Sequence, residues 1–288
     1  MIKIDITKQL HGSVGEMLLE LNLEVESGEF IALSGKSGSG KSTFLRILAG
    51  LEKADGVIDV DGSIWQDKGG RFLDVQNRGI GFVFQDYALF ENMSVEENLL
   101  FVKDDKKLAH YLLSVTELYE LKNRFPNSLS GGQKQRVALC RAFMNKPKLL
   151  LMDEPFSALD STMRLKLQSE LLALHKEFGS TTIMVSHDPS EIYKLASRVV
   201  VLEDGKVLDY GSVKDILLQT SGTQKFSFEG EVLDIVKVDV IYVAIIAIAQ
   251  QIVEVIITSN EAKSITIGSK VRVGTKAFSP TLFLKLDS

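Results

Sequence analysis

The architecture of this chain follows from one glycine-rich segment, Gly35-Lys36-Ser37-Gly38-Ser39-Gly40-Lys41-Ser42. Its glycines let the backbone curve around an anion, so that successive N–H groups point at phosphate oxygens. The apolar residues 30–34 predict a strand before it, and residues 43–49, beginning with Thr43, predict a helix whose positive N-terminal end also attracts anions. Within residues 35–43, Lys41 is placed to reach the β- and γ-phosphates of a nucleotide and Ser42 to bind Mg²⁺. We therefore expect ATP and Mg²⁺ as ligands.

A pair of carboxylates follows a later apolar run. Residues 149–152 read Leu-Leu-Leu-Met and are followed directly by Asp153 and Glu154. A magnesium-nucleotide site needs an acidic side chain at the end of a strand near the loop, which is the predicted position of Asp153. We expect Asp153 to orient the hydrated metal and Glu154 to act as the general base toward the attacking water.

Two further polar residues lie where predicted strands end. His187 follows the apolar residues 182–185, and Gln85 follows residues 82–84. We expect His187 to contact the γ-phosphate, and Gln85 to contact the metal or the water at the border of a helical insert. The alternatives are a structural histidine and a solvent-exposed loop amide.

A second anion-binding motif is Leu129-Ser130-Gly131-Gly132-Gln133, which precedes a predicted helix at residues 134–139. A serine and two glycines at a helix start offer a hydroxyl, free N–H groups and the helix dipole to an anion. One chain therefore carries two phosphate-binding motifs. A γ-phosphate held between two copies would use both of them, which predicts an ATP-dependent homodimer with two-fold symmetry.

The chain of 288 residues is long enough for two domains. Residues 1–222 alternate apolar strands with helical segments, as expected of a layered α/β domain, and residues 86–146 or so have the spacing of an inserted helical subdomain. The apolar runs 149–152, 182–185 and 199–202 are continuous, as in buried parallel strands. Residues 226–288 alternate with a period of two and predict a small all-β domain, a five-stranded barrel.

Composition excludes several classes of protein. The net charge of −5 gives no reason to expect a nucleic-acid partner. The single cysteine, Cys140, cannot form an internal disulfide, which fits a reducing compartment, and its helical context favours a small buried side chain. The apolar residues 240–249 are too few to cross a bilayer.

Taken together, these motifs resemble those of the ATP-binding-cassette (ABC) ATPases. The matching segments are the phosphate loop at 35–42, the Q-loop at Gln85, the signature at 129–133, the Walker B segment at 149–154, the D-loop at 157–160 and the switch His187. The resemblance implies a P-loop NTPase fold with a RecA-like core and a helical subdomain. It also implies a head-to-tail dimer in which Ser130 of one copy completes the site of the other.

The same resemblance implies partners and a place in the cell. An ABC importer ATPase works with separate transmembrane permease subunits and, indirectly, with a solute-binding protein. Such a subunit lies in the cytoplasm, peripherally on the inner face of the membrane. A soluble ABC ATPase that takes no part in transport is the alternative.

The C-terminal residues resemble TOBE, an OB-like β-barrel module of importer ATPases. Residues 257–262, 268–273 and 276–279 resemble the molybdate-binding version, as do residues 81–90 of the first domain. The expected solute is molybdate, or tungstate or a sulfate-type oxyanion; sulfate, iron, polyamine or sugar import is the alternative. Ser259, Lys276 and Ser279 are candidate oxyanion contacts, whereas a purely structural or regulatory barrel would make no such contact.

The sequence departs from the family in its adenine site. ABC ATPases stack adenine on an aromatic residue upstream of the phosphate loop, but no Phe, Tyr or Trp precedes Phe30 here. His11 or Leu10 is the expected replacement.

Overall fold

In a computed structural model, the chain divides into two compact units, Met1–Leu218 and Gln219–Ser288, and each is described by itself. The structure describes residues 1–12, 15–157, 159–217, 226–238, 241–248 and 251–275. Within these ranges, no helix combines the length and the apolar character that crossing a membrane requires.

The first unit is built on one ten-stranded mixed sheet flanked by helices. Its strands are β1 (Ile2–Gly12), β2 (Gly15–Val25), β3 (Phe30–Gly35), β4 (Asp55–Val60), β5 (Ser63–Gln66), β6 (Ile80–Val83), β7 (Leu149–Asp153), β8 (Thr181–Val185), β9 (Arg198–Glu203) and β10 (Lys206–Ser212). They lie in the order β5-β4-β1-β2-β10-β9-β3-β8-β7-β6. The helices are α1 (Lys41–Ala49), α2 (Val95–Leu100), α3 (Lys106–Val115), α4 (Gly131–Phe143), α5 (Ser161–Phe178), α6 (Pro189–Leu195) and α7 (Val213–Leu217).

The five strands β9, β3, β8, β7 and β6 are parallel. β7 and β8 are buried along nearly their whole length because helices cover both faces of this part of the sheet. The continuous apolar runs of the sequence thus become parallel strands, and the predicted α/β fold of a P-loop NTPase is confirmed.

The other half of the sheet is mainly antiparallel. β1 is antiparallel to both β2 and β4, and β4 is antiparallel to β5. Burial alternates along β1 and β2, so that one face packs on the core around α1 and the other meets solvent. Helices α2, α3 and α4 lie between β6 and β7 in the chain and form a second core together with α5.

The buried Arg78 holds the C-terminal end of α1. Its guanidinium donates hydrogen bonds to the carbonyls of Ile47 and Leu48, both at 2.9 Å. The same group lies over the rings of Trp65 and Phe72, and burial lowers its pKa to about 10. The last carbonyls of a helix have no hydrogen-bond donors within the helix, and Arg78 supplies donors to two of them here.

The second unit is a four-stranded antiparallel sheet with a short helix. Its elements are β11 (Phe226–Val238), β12 (Ile241–Ile248), β13 (Gln251–Ile257), α8 (Ser259–Ser264) and β14 (Lys270–Thr275), with the strands in the order β13-β12-β11-β14. One face packs around Val232, Ala244 and Ile246.

The expectation of an all-β unit without a helix was wrong in one place. Thr258 and Glu261 form a capping box, in which each side chain accepts a hydrogen bond from the backbone N–H of the other, and this box starts α8. Ser259, a predicted oxyanion contact, is the first residue of that helix. The other two predicted contacts, Lys276 and Ser279, lie outside the described residues, as does any fifth strand formed by residues 276–288.

Replacing Arg78 tests its role in the fold. Arg78→Ala removes the partners of buried carbonyls and leaves a gap beside Trp65, so we expect a loss of about 2–4 kcal/mol in the free energy of unfolding. The fluorescence of Trp65, the chain's single tryptophan, reports urea unfolding of this unit. The exposed Arg71→Ala should shift the midpoint little; equal midpoints for the two variants would contradict the assignment.

Candidate functional site

The ends of four neighbouring parallel strands form the site. Leu33 on β3 lies opposite Val185 on β8, and Val185 lies opposite Asp153 on β7. β6 continues the parallel set beside β7. The carboxyl ends of these strands therefore meet at one edge of the sheet, so the segments that follow them converge there.

The phosphate loop joins β3 to α1 and needs glycine at two points. Gly35 has φ 138°, and a Cβ added there would lie 2.0 Å from the carbonyl oxygen of Leu202. Gly40 has φ 97° and is the N-cap of α1. Among the described residues no side chain caps this helix start, so its first N–H groups are available to an anion.

Lys41 lies across this loop. Its Nζ donates hydrogen bonds to the carbonyls of Gly35 at 2.8 Å and Lys36 at 2.6 Å. Burial lowers the pKa of Lys41, while the charges of Glu154 and Asp153 act against that shift. A partly desolvated cation at the start of a helix is well placed to bind a phosphate.

Lys36 differs from Lys41, although both belong to the predicted loop. Its ammonium pairs with Glu203 at 2.5 Å, and this hydrogen bond is the main cause of its raised pKa. The Lys36 side chain is thus held by the last residue of β9. Its contribution to a bound phosphate would come from the backbone N–H of the loop.

Asp153 and Ser42 have the donor atoms that Mg²⁺ prefers. Burial is the main cause of the raised pKa of Asp153, and the nearby Ser42 hydroxyl acts against that shift, so a hydroxyl oxygen and a carboxylate oxygen lie near each other beside the loop. Hard oxygen ligands of this kind fit Mg²⁺, whose charge would favour the ionised form of Asp153. In the described ranges, no three Asp, Glu, His or Cys side chains are arranged so that they could hold a metal ion by themselves.

Three of the predicted site residues, Glu154, Gln85 and His187, lie close together. Gln85 Nε2 donates a hydrogen bond of 3.5 Å to Glu154 Oε2, and His187 Nδ1 is 3.7 Å from Glu154 Oε1. Glu154 has φ 45°, an unfavourable conformation for a residue with a side chain. Its N–H donates to the carbonyl of Val185 at 3.2 Å, which holds this turn against β8.

An open cleft lies beside these groups. It is lined by Glu154, Ser157, Arg164, Ser186, His187, Asp188 and Glu191. The His187 side chain is 74% exposed, so its ring can reach a ligand in the cleft. Arg164 and Glu191 belong to no motif identified in the sequence, so neither was predicted as a site residue.

The signature residues start α4. Ser130 Oγ accepts a hydrogen bond from the N–H of Gln133 at 3.4 Å, and Gln133 Oε1 accepts one from the N–H of Ser130 at 2.9 Å. This is a capping box, and Ser130 and Gly131 are exposed. Among the described residues, no hydrogen bond or ion pair joins residues 130–133 to the phosphate loop. Within the described part of one chain, the two predicted anion-binding motifs therefore do not contact each other through such bonds.

The β1–β2 hairpin contributes apolar side chains next to the loop. A Cβ built on Gly40 would lie 3.6 Å from Leu10 Cδ1 and 3.7 Å from Met17 Cε. Of the two residues predicted to contact the base, Leu10 therefore lies near the loop, whereas the His11 side chain is exposed with Nδ1 3.8 Å from Glu16. Met17 was missed because its pairing with Leu10 depends on the register of the hairpin.

Comparison with known proteins identifies relatives of the first unit. A family model described as "ABC transporter" matches residues 18–157. A probable sulfate/thiosulfate import ATP-binding protein CysA from Chlorella vulgaris is 43% identical over 224 residues, which is 75% of this chain and 93% of that protein. CysA proteins from Mesostigma viride and Agrobacterium fabrum are each 44% identical; the matches cover 75% and 74% of this chain and 64% of each relative.

Two solved structures share the fold. One is a dimeric post-hydrolysis state of the ATP-binding cassette MJ0796 bound to ADP and Pi, with a TM-score of 0.64 and 33% identity over 74% of this chain and 99% of that one. The other is a dimeric structure described as MJ0796, a bacterial ABC transporter cassette, with the same values.

The two lysines of the loop give a matched test. Lys41→Ala removes the cation that lies across the loop, so ATP affinity should fall about 10- to 100-fold, the effect of a lost charge-assisted hydrogen bond. Lys36→Ala removes a side chain that is already paired with Glu203, so the loss of ATP affinity should be much smaller for this variant. A fluorescent ATP analogue measures both dissociation constants. Equal losses, or no loss for Lys41→Ala, would contradict the assignment.

Proposed function

This chain belongs to the ABC transporter family, and from that premise we propose that it is the ATP-hydrolysing subunit of an importer. The chain has the fold of an ABC ATPase, and the single observation that carries the proposal is the convergence of Lys41, Asp153, Glu154 and His187 beside one loop. In this role it converts ATP and water to ADP and phosphate and transmits the resulting movement to separate membrane subunits.

The residues of the site have distinct roles in this proposal. The loop N–H groups and Lys41 bind the phosphates, and Ser42 and Asp153, with Gln85 beside them, would hold Mg²⁺. When bound, Mg²⁺ neutralises phosphate oxygens and so makes the terminal phosphorus more open to attack. Glu154 accepts the proton of the attacking water, and His187 contacts the γ-phosphate from the other side of the cleft.

A second copy of the chain completes the site. Ser130 and Gly131 are exposed, and the Ser130 hydroxyl proton and the N–H groups of Gly131 and Gly132 are donors that can bind the γ-phosphate held by another copy. The related MJ0796 cassette is described as a dimer. We infer a head-to-tail homodimer that closes on ATP and reopens after hydrolysis.

The surface next to Gln85 is proposed as the contact with the permease subunits. Phe90 and Phe101 pack with ring centroids 4.6 Å apart, and Phe101 is 62% exposed. Arg141 lies over Phe90 and donates to the carbonyl of Ala88 at 2.7 Å, which ties the segment after Gln85 to α4. An apolar patch on the loop that carries Gln85 can pass movement between nucleotide and membrane partner. The site of action is then the cytoplasmic face of the membrane.

For the transported solute we propose an oxyanion of the sulfate class, delivered by a solute-binding protein. The three relatives described above are named for sulfate/thiosulfate import. Those matches cover about three quarters of this chain, whereas the resemblance to molybdate importers rests mainly on short segments of the second unit. Molybdate is therefore the second candidate.

The solute proposal can be tested separately from the ATPase proposal. The chain is co-purified with its membrane subunits, reconstituted in liposomes with the solute-binding protein, and assayed for ATP hydrolysis with sulfate, thiosulfate, molybdate or tungstate. We expect sulfate or thiosulfate to stimulate turnover. Stimulation by molybdate and tungstate alone would overturn the sulfate proposal and leave the ATPase assignment in place.

Glu154→Gln tests the general base. The amide cannot take a proton from water, so turnover should fall by at least ~100-fold, while the loop and Lys41 still bind ATP. Hydrolysis would then no longer reopen the dimer, and an ATP-bound dimer should accumulate on size-exclusion chromatography. Turnover near the normal rate would show that another group activates the water.

A further inference from the structure

Arg164, in the first turn of α5, makes contacts on two sides of the cleft. On one side, its Nη2 donates a hydrogen bond of 3.2 Å to the carbonyl of Leu159, which belongs to the segment that follows Glu154. On the other side, its Nη1 donates one of 3.1 Å to Asp188 Oδ2. Its Nε is 3.6 Å from Glu191 Oε1. One planar guanidinium thus joins three segments that meet at this cleft.

The contacts on the second side hold both neighbours of His187. Ser186 is buried, and its hydroxyl donates to Glu191 Oε2 at 2.6 Å and accepts from the N–H of Asp188 at 3.2 Å. The N–H of Ser186 donates to the carbonyl of Leu33 on β3, the strand that leads into the phosphate loop. His187 has an exposed side chain, but its backbone is held by residues on either side.

Asp188 divides its two oxygens between separate tasks. Oδ1 caps α6 by accepting hydrogen bonds from the N–H of Ser190 at 2.8 Å and of Glu191 at 3.4 Å, whereas Oδ2 accepts from Arg164. Glu191 is buried, and burial raises its pKa, while the nearby charge of Arg164 favours the ionised form. Arg164 therefore offsets the negative charge of these carboxylates as well as holding them in position.

The first side of the network leads to Glu154. The carbonyl of Glu154 accepts hydrogen bonds from both the N–H and the hydroxyl of Ser157, so Glu154 begins a turn that ends at Ser157, and the N–H of Leu159 donates to the carbonyl of Phe156 within that turn. Holding Leu159 restricts this turn from its far end. Glu154 and His187 face each other across 3.7 Å, and Arg164 is bonded to the segments that carry both.

We propose that Arg164 is a positioning residue, which sets His187 relative to Glu154 by hydrogen bonds to Leu159 on one side of the cleft and to Asp188 on the other, where it also forms an ion pair with Glu191. The proposal rests on the ATPase function proposed above. It assigns no contact between Arg164 and ATP. Arg164 should accordingly affect the rate of hydrolysis much more than the binding of ATP, because Lys41 and the loop lie outside this network.

Three variants of the full chain test the proposal. Arg164→Ala should lower kcat by at least ~10-fold, since a displacement of about 1 Å among reacting groups can cost up to ~100-fold, while the dissociation constant for ATP changes by less than about 3-fold. The kcat of Arg164→Lys should lie between those of wild type and Arg164→Ala, because one ammonium group cannot interact with all three oxygens at once. Lys166→Ala is the matched control, since Lys166 lies on the same helix and pairs with Glu117; its kcat should be unchanged.

A double-mutant cycle separates positioning from general stability. If Arg164 acts through His187, then Arg164→Ala should cost little more in kcat when His187 is already Ala. Asp188→Asn keeps the Oδ1 cap of α6 and removes the acceptor of Arg164, so it should lower kcat in the same way and replaces Arg164→Ala in the cycle should the latter fail to fold.

The outcomes are distinct. A kcat within about 2-fold of wild type for Arg164→Ala, or fully additive effects of the Arg164 and His187 replacements, would overturn the positioning role. An equal loss of ATP affinity and kcat would also overturn it, because the effect would then lie in binding. A wild-type chain that neither binds nor hydrolyses ATP would contradict the proposed function itself.

Discussion

The site depends on one geometric constraint, the parallel alignment of β3, β8, β7 and β6. Parallel strands all end at the same edge, so a short loop after each one brings its side chains to a common point. The phosphate loop follows β3, the histidine follows β8, the two carboxylates end β7, and Gln85 follows β6. An antiparallel neighbour at any of these positions would send its loop to the opposite edge. The helix α1 then starts from this edge with free N–H groups, which only the N-terminal end of a helix offers.

Lys41 interacts with the opposite charges of Glu154 and Asp153 at this edge of the sheet. Burial disfavours the charged forms of both Lys41 and Asp153, whereas the opposite charge of each favours the ionised form of the other. The phosphates of ATP would bring more negative charge than one lysine can offset, so a hard cation held by Ser42 and Asp153 fits the electrostatics of the site. Lys36 adds little to this balance because Glu203 neutralises it.

The sequence predicted those parts of the fold that depend on residues close together in the chain. The phosphate loop and the parallel strands could be predicted because local periodicity and glycine positions determine them. Arg164 and Met17 could not, since their contacts come from residues that only the tertiary structure brings near. The helix α8 was missed although its capping box, Thr258 to Glu261, is a local signal; the alternation of the surrounding strands dominated that region. The roles of the site residues remain predictions, as does the barrel formed by residues 226–288.

The capping of α4 bears on how a second chain could complete the site. Ser130 Oγ uses a lone pair to accept the hydrogen bond from Gln133, and a hydroxyl that accepts in this way still has its own proton to donate. The cap therefore holds the Ser130 oxygen in place and leaves the hydroxyl proton available for donation. Because the side chain of Gln133 satisfies the N–H of Ser130 in return, the N–H groups of Gly131 and Gly132 remain as further donors at the helix start. In the proposed dimer, these donors would then already be in place before the two copies close. An anion that meets it pays little entropy for ordering the protein, so a γ-phosphate presented by a second copy can close the dimer with binding energy from a few contacts.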